Sequence, residues 1–319
     1  MPPTPTAHQA DPIAPQKEVL AHIAPQVEAL VTRHLEQRRL WMPSEILDER
    51  ERDRLRDAAR GLPESVRAGL ALNLLTEEGL PHFHRLIAVH MGEHSVWGRW
   101  NNLWTAEEDR HGCVLRDYSR DAGIFDMVAL ERLQCDYLEA GFNPDWGRDP
   151  YKLLAYTSLQ EKATQRAHGN LARLAAPIEP QLQTILSRVA GDEAKHHLFY
   201  RDCFAMLLAE DPERALKAAW AVMPNLAMPG HTIPGYTQLS DAVRAAGIYG
   251  PLDYCKIVSD LLGVWGIAAA RGLSSQAERL QDQLMALPGR LERFAELVAR
   301  RRPQARDLRF DFLPRAQGA

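Results

Sequence analysis

One pattern occurs twice in this chain and limits what it can fold into. In "WTAEEDRHGCVLRDY" Glu108 stands three residues before His111, and in "GDEAKHHLFYRD" Glu193 stands three residues before His196. A lone glutamate precedes each pair in a separate run: Glu77 in "LLTEEGLPHF" by 31 residues, Glu161 in "TSLQEKATQRAHGN" by 32. Positions three apart lie on one face of an α-helix, one turn from each other. A single Glu-x-x-His is most simply a solvated ion pair. Two copies with matched spacing call for a common cause.

Helix hairpins supply that cause. Residues about thirty apart come into register across a hairpin, and two hairpins about a pseudo-twofold axis gather four carboxylates and two imidazoles. Buried without a cation, six such groups carry an intolerable charge load. Two divalent irons compensate it, each with one histidine and one terminal carboxylate, while the other two glutamates bridge. This is the pattern of ferritin-like di-iron carboxylate proteins. By ligand type alone, manganese or a mixed pair fits as well. The expected ligands are Glu77, Glu108, His111, Glu161, Glu193 and His196. Glu78 and Glu107 point roughly 100° away from their ligand neighbours and are expected to be solvated or to back a ligand. His197 is expected in an outer position or at the surface. His82, His84, His90 and His94 are read as non-ligands.

The rest of the chain is compatible with such a bundle. Apolar residues recur at spacings of three and four over 27–40, 64–91, 152–175, 179–208 and 276–301. Breakers separate the runs, as in "NPDWGRDP" (143–150), "APIEP" (176–180) and "MPGHTIPGY" (228–236). Most helices are expected to reach 20 residues or more, and the one strand signal is a faint "LRFDFL" at 308–313. The fold class is therefore all-α, a ferritin-like helical bundle with additional helices. Residues 1–16 are proline-rich and read as a flexible tail; residues 17–319 read as a single domain.

Composition narrows the function. A formal net charge of −4 argues against general nucleic-acid binding, though it leaves room for a local basic patch. The four cysteines form no C-x-x-C pair and fit a reducing compartment. No run approaches the ~20 apolar residues of a membrane span, and "MPPTPTAHQADPIAPQK" lacks the apolar stretch of a secretory signal. The expectation is a soluble, cytoplasmic protein.

Longer words around the ligands then become specific. "LTEEGLP" (75–81), "WTAEEDRHG" (104–112), "YTSLQEKATQRAHGNLAR" (156–173) and "GDEAKHH" (191–197) resemble the four metal-bearing segments of the soluble acyl-carrier-protein desaturases. "LWMP" (40–43), "MPGH" (228–231) and "PGRLERFAELVARRRP" (288–303) extend the likeness, in the family's order, from about residue 20 to 312. The resemblance implies insertion of a cis double bond into a fatty acyl chain held on acyl carrier protein. It implies O₂ as oxidant, ferredoxin as electron donor, two irons per subunit and a homodimer whose interface includes the helices of Glu77 and Glu108.

The resemblance also assigns residues. Thr164, one turn after Glu161, falls on the oxygen-binding side of the cluster as a proton or hydrogen-bond donor. Asp192 falls behind a ligating imidazole, and Trp41 at the point of electron entry. Leu153 and Leu154 line the far part of the acyl pocket, where plant members acting on long chains keep a glycine at the first position. Arg38 and Arg39 fall where the family carries basic docking residues, with Arg33 and Arg300, Arg301 and Arg302 as further candidates. The alternatives are another ferritin-like di-iron oxidase, such as an N-oxygenase or a ribonucleotide reductase radical subunit with Tyr118 as the radical site, and a non-catalytic iron-binding homologue.

Overall fold

The computed structural model describes residues 11–225, 229–300 and 309–313, and among these the chain is helical with no strand. The α-helices in chain order are α1 (Ala14–His22), α2 (Ala24–Gln37), α3 (Pro43–Ile46), α4 (Arg52–Ala59), α5 (Glu64–Glu77), α6 (Leu80–Met91), α7 (Ser95–Ala122) and α8 (Met127–Ala140). They continue as α9 (Pro150–Ala175), α10 (Pro180–Glu210), α11 (Pro212–Val222), α12 (Tyr236–Ala245), α13 (Pro251–Val264), α14 (Ser275–Met285) and α15 (Leu287–Arg300).

The three longest are the ones that matter most for function, with 28 residues in α7, 26 in α9 and 31 in α10. Their ends follow from sequence. Asp149 and Glu179 accept hydrogen bonds from the first free backbone N–H groups of α9 and α10, and Pro150 and Pro180 follow them, where a missing N–H costs nothing. Gly123 closes α7 in the left-handed region at φ 63°. The α9–α10 pair is an antiparallel hairpin joined through residues 176–179, as the proline-flanked "APIEP" suggests.

Five expectations need correction. The periodic run 64–91 is two helices, because the chain turns at Glu78–Gly79. A Cβ on Gly79 would lie 2.6 Å from the Tyr137 hydroxyl, so only glycine fits there. The run 276–301 likewise breaks at Ala286, because Pro288 has no N–H to bond the Leu284 carbonyl and falls instead in the first turn of α15. Most other described helices run 8–14 residues, shorter than expected. "LRFDFL" forms no strand in its described part: Phe312 packs its ring on Phe125 at 5.8 Å and accepts a hydrogen bond from Asp126 N, which makes it an aromatic plug. At the other end, the last residues of the expected tail already form the first turn of α1, with Ile13 and Gln16 buried.

The core has two apolar halves. One gathers the first turns of α7 and α9 with the last turns of α10, through Trp97, Trp100, Leu154, Leu159, Phe204 and Leu207. The other gathers α5, the last turns of α7 and the first turns of α10, through Leu70, Leu74, Leu115, Tyr118, Ile185 and Val189. The polar positions of α7, α9 and α10 lie between these halves. The buried carboxylates therefore sit mid-helix, with apolar packing on either side.

Candidate metal centre

Two buried clusters meet in that layer. Ligand-type atoms of Glu77, Glu108, His111 and Glu193 lie within 4.8 Å of one another, and so do those of Glu108, Glu161, Glu193 and His196. Glu108 and Glu193 belong to both. The six residues singled out by the repeated spacing are thus brought together, and all six are buried. Their elements are α5 for Glu77, α7 for Glu108 and His111, α9 for Glu161, and α10 for Glu193 and His196. The first half is less simple than a hairpin, since α6 intervenes between Glu77 and Glu108.

Both histidines point Nδ1 inward. Nδ1 of His111 is 3.3 Å from Glu193 Oε1, 3.4 Å from Glu108 Oε2 and 3.7 Å from Glu77 Oε2. Nδ1 of His196 is 2.8 Å from Glu108 Oε1 and 3.6 Å from Glu161 Oε2. None of these approaches is aligned as a hydrogen bond. Nδ1 of both rings, Oε1 of Glu108 and Oε2 of Glu161 are buried without a hydrogen-bond partner. Buried polar atoms left this way are costly. Atoms that converge without bonding to each other are arranged to bind a common third atom, so the residues present fit a metal pair. Hard carboxylate oxygens and imidazole nitrogens in this ratio suit iron or manganese.

The electrostatics agree. Burial works against protonating His111 and His196, yet the carboxylates around them outweigh it and hold both imidazoles well above their ordinary range. Burial and the neighbouring Glu193 push the Glu161 carboxyl well up, and the same two causes raise Glu108. Burial would also raise Glu77, but His111 and His168 hold it below the carboxylate range. The site needs positive charge, and a metal competes with protons to supply it.

Behind the ligands lies a ring of partners. His168 Nε2 is 2.7 Å from Glu77 Oε1, and the Asn73 amide is 3.1 Å from the other ring nitrogen. Trp104 Nε1 donates to Glu161 Oε1 at 3.1 Å. Glu107 Oε2 lies 2.9 Å from Nε2 of His196 and 2.9 Å from Nε2 of His34. Asp192 Oδ2 lies 3.6 Å from Nε2 of His111 and accepts from Trp41 Nε1 at 2.8 Å. Arg110, whose guanidinium lies 5.1 Å from the Trp41 ring, donates to the Trp41 carbonyl. His34, Asn73, Trp104 and His168 escaped the sequence reading. Two left a signal: His34 interrupts the apolar stripe Val27, Leu30, Val31, and His168 stands two turns beyond Glu161 on the same face of α9.

Other expected residues fall as follows. Thr164 donates to Glu193 Oε2 at 2.7 Å and also approaches the Glu161 carbonyl at 3.0 Å. With Thr76, Glu77, Leu80, Phe83, Trp104, Glu108 and Gln160 it lines a cleft of about 40 Å³ against the carboxylates. Leu153 and Leu154 are fully buried in the first core half and do not line that cleft. Arg38 turns partly inward, with Nη1 3.4 Å from Glu107 Oε1, whereas Arg33 and Arg39 are exposed. Arg300 is exposed too; Arg301 and Arg302 lie outside the described residues, as does Met228 of "MPGH". Glu78 pairs with Arg116, and His197 is buried with Nδ1 donating to the Ser158 carbonyl at 2.9 Å, its imidazole pushed down by burial to about 4. His82, His84 and His90 bond to Leu138 O, Thr105 and Leu86 O, away from the clusters. Tyr118 is buried beside Glu179, which stands 14 residues before Glu193, roughly 21 Å along α10.

The family model for fatty acid desaturase matches residues 15–313. Acyl-[acyl-carrier-protein] desaturase 6, chloroplastic, of Oryza sativa subsp. japonica is 32% identical over 323 residues, covering 92% of this chain and 77% of its own. Stearoyl-[acyl-carrier-protein] 9-desaturase, chloroplastic, of Spinacia oleracea is 28% identical over 340 residues, covering 95% and 85%. The X-ray structure of DesA2 from Mycobacterium tuberculosis H37Rv, assigned provisionally as an acyl-ACP desaturase, superposes with a TM-score of 0.61 at 24% identity. It covers 82% of this chain and 99% of that one, and the likeness carries the all-α, ferritin-like fold. No described helix is long and apolar enough to cross a membrane.

Proposed function

The chain belongs to the fatty acid desaturase family, and we propose that it is an O₂-dependent acyl-[acyl-carrier-protein] desaturase that works with two irons. One observation carries the reading: two buried Glu/His clusters share Glu108 and Glu193 in a chain matched to that family over nearly its whole length. In this reading Glu77 with His111 and Glu161 with His196 would each serve one ion as terminal ligands, and Glu108 and Glu193, common to both clusters, would be shared. Bound there, the pair would supply the O₂-derived oxidant needed to remove two hydrogens from adjacent unactivated carbons, chemistry that no side chain performs.

The chain's own residues do the rest. His168 with Asn73 and Trp104 fix the two terminal carboxylates, so that neither can swing away when the charge of the site changes. Thr164 offers a hydroxyl proton at Glu193 Oε2, facing the cleft. Leu80, Phe83 and Trp104 give the cleft an apolar wall against the carboxylates. At about 40 Å³ it has room for two or three waters only, so an acyl chain enters by displacing the Leu80 and Phe83 side chains. That excludes water from the carbons to be oxidised.

Acyl carrier protein docks in this account on exposed Arg33 and Arg39 beside the exposed Leu40 and Met42. Ferredoxin delivers electrons by way of Trp41 and Asp192. Residues 17–319 act as one domain, and the active form is a homodimer; light scattering at micromolar concentration giving the 35.9 kDa monomer would contradict the dimer. The test of function is a turnover. Iron-loaded protein, reduced anaerobically and then exposed to O₂ with a panel of acyl-carrier-protein thioesters, should yield products two hydrogens lighter with the double bond at one fixed carbon. Unchanged acyl chains across the panel would refute it.

A further inference from the structure

We infer that the eight-residue segment His34–Trp41 is a strap across the metal centre, with His34 a positioning residue for His196, and that strap docking and metal retention are one coupled equilibrium. The inference rests on the metal-pair reading above.

The segment starts in the last turn of α2 and runs on in extended form beyond Gln37. The buried face of α2 is Val27, Leu30, Val31 and then His34, an imidazole where the stripe calls for an apolar side chain. A histidine at 6% exposure needs a partner. It finds Glu107 Oε2 at 2.9 Å, the same oxygen that lies 2.9 Å from Nε2 of His196. The His34 ring is further fixed edge-on against Trp100 at 5.0 Å and nearly parallel to His196 at 5.8 Å. One turn on, Arg38 reaches the other oxygen of Glu107. Three residues later, Trp41 donates to Asp192, which faces His111.

One short segment thus touches both outer carboxylates, and each carboxylate faces one of the two inward-pointing histidines. A ligating His196 presents its bare Nδ1 to the metal, which leaves Nε2–H to donate to Glu107. Glu107 can hold that ring only if its own carboxylate is held, and His34 and Arg38 hold it. Removing a partner of this kind typically costs 10–100-fold in metal affinity. Coupling is reciprocal, so metal must tighten the strap by the same factor. Between its two buried ends, His34 and Trp41, the strap is exposed at Leu35, Glu36, Gln37, Arg39 and Leu40. Weakly buried segments open locally at low free-energy cost.

The experiment pairs chelator competition with hydrogen exchange, both on the full chain and without O₂. In wild type, iron(II) should slow amide exchange in peptides spanning residues 27–41 by about 10-fold or more relative to metal-stripped protein. His34→Ala should lose one of the two irons to chelator at ~10-fold lower chelator concentration and lose the metal-dependent protection. His34→Gln, which keeps an N–H donor, should recover most of both. Glu36→Ala, on the exposed face of the strap, should behave as wild type. Retention by His34→Ala within about 2-fold of wild type, or equal exchange over 27–41 with and without iron, overturns the inference. If His34→Ala does not fold, the wild-type exchange comparison decides alone. A wild-type chain that binds no iron removes the metal-pair reading itself, a result distinct from iron bound with an indifferent strap.

Discussion

Glu107 and His196 stand on different helices, and Oε2 of the one lies 2.9 Å from Nε2 of the other. Asp192 and His111 repeat the relationship in reverse, at 3.6 Å. In both cases the residue just before a shared glutamate crosses over to the other repeat's histidine. The two Glu-x-x-His units are therefore interlocked by their backing carboxylates as well as by the shared Glu108 and Glu193. Damage to one unit is felt by the other.

Metal stoichiometry should expose that asymmetry of roles. Glu77→Ala or Glu161→Ala removes a terminal carboxylate from one cluster and should leave about one tightly held iron per chain. Glu108→Ala or Glu193→Ala removes a shared ligand and should weaken both ions, leaving well under one after gel filtration. Elemental analysis of anaerobically loaded protein reads the difference. Full occupancy in the shared-ligand variants would remove them from the site.

The Thr164 hydroxyl has one proton and competing acceptors, Glu193 Oε2 at 2.7 Å and the Glu161 carbonyl at 3.0 Å. Thr164→Val should keep both irons but slow turnover by roughly 5-fold, corresponding to about 1 kcal/mol for one hydrogen bond, while Thr164→Ser restores it. Wild-type turnover in the valine variant would mean that the hydroxyl serves only its own helix turn.

Much of this site was legible because ligands cannot hide their spacing. Glu77, Glu108, His111, Glu161, Glu193 and His196 announce themselves by a repeated interval, and helical geometry turns the interval into a face. The backing residues obey no such rule. Glu107 and His34 meet across 73 positions, a distance set by how α2 crosses α7, and pairwise periodicity says nothing about crossings. The same blindness joined α5 to α6: their apolar pattern is continuous, but Pro81 has no N–H to carry the α5 ladder onward, and the chain turns at Glu78–Gly79, where Tyr137 leaves room only for glycine. Arg38 shows what a charge run leaves out. A charge run reads as one exposed patch, yet Glu107 draws its first member inward.

Carrier docking is accordingly tested without Arg38, whose reversal would set a carboxylate against Glu107. Arg33→Glu with Arg39→Glu should raise KM for the acyl-carrier-protein substrate several-fold and flatten its salt dependence, with kcat unchanged. Steady-state kinetics at two ionic strengths decides it. Unaltered KM would clear this surface of any docking role.

Leu153 is fully buried on α9, eight residues before Glu161 and two turns further from the cluster. If it sets the depth of the acyl pocket, Leu153→Gly should move the preferred chain length upward, with ~1–3 kcal/mol of discrimination per methylene. The substitution should also lower stability by about 3–6 kcal/mol, through the cavity and the helical glycine together. Turnover of acyl chains of graded length in both proteins is the check. A lower melting temperature with an unmoved optimum would make Leu153 a core residue only.

The most direct measurement is the Mössbauer spectrum of the chain loaded with ⁵⁷Fe and oxidised. Two clusters sharing Glu108 and Glu193 predict about two irons per chain in a single spin-coupled pair with a diamagnetic ground state. Two magnetically independent ferric ions, or one ion per chain, would contradict the shared-carboxylate centre on which the account rests.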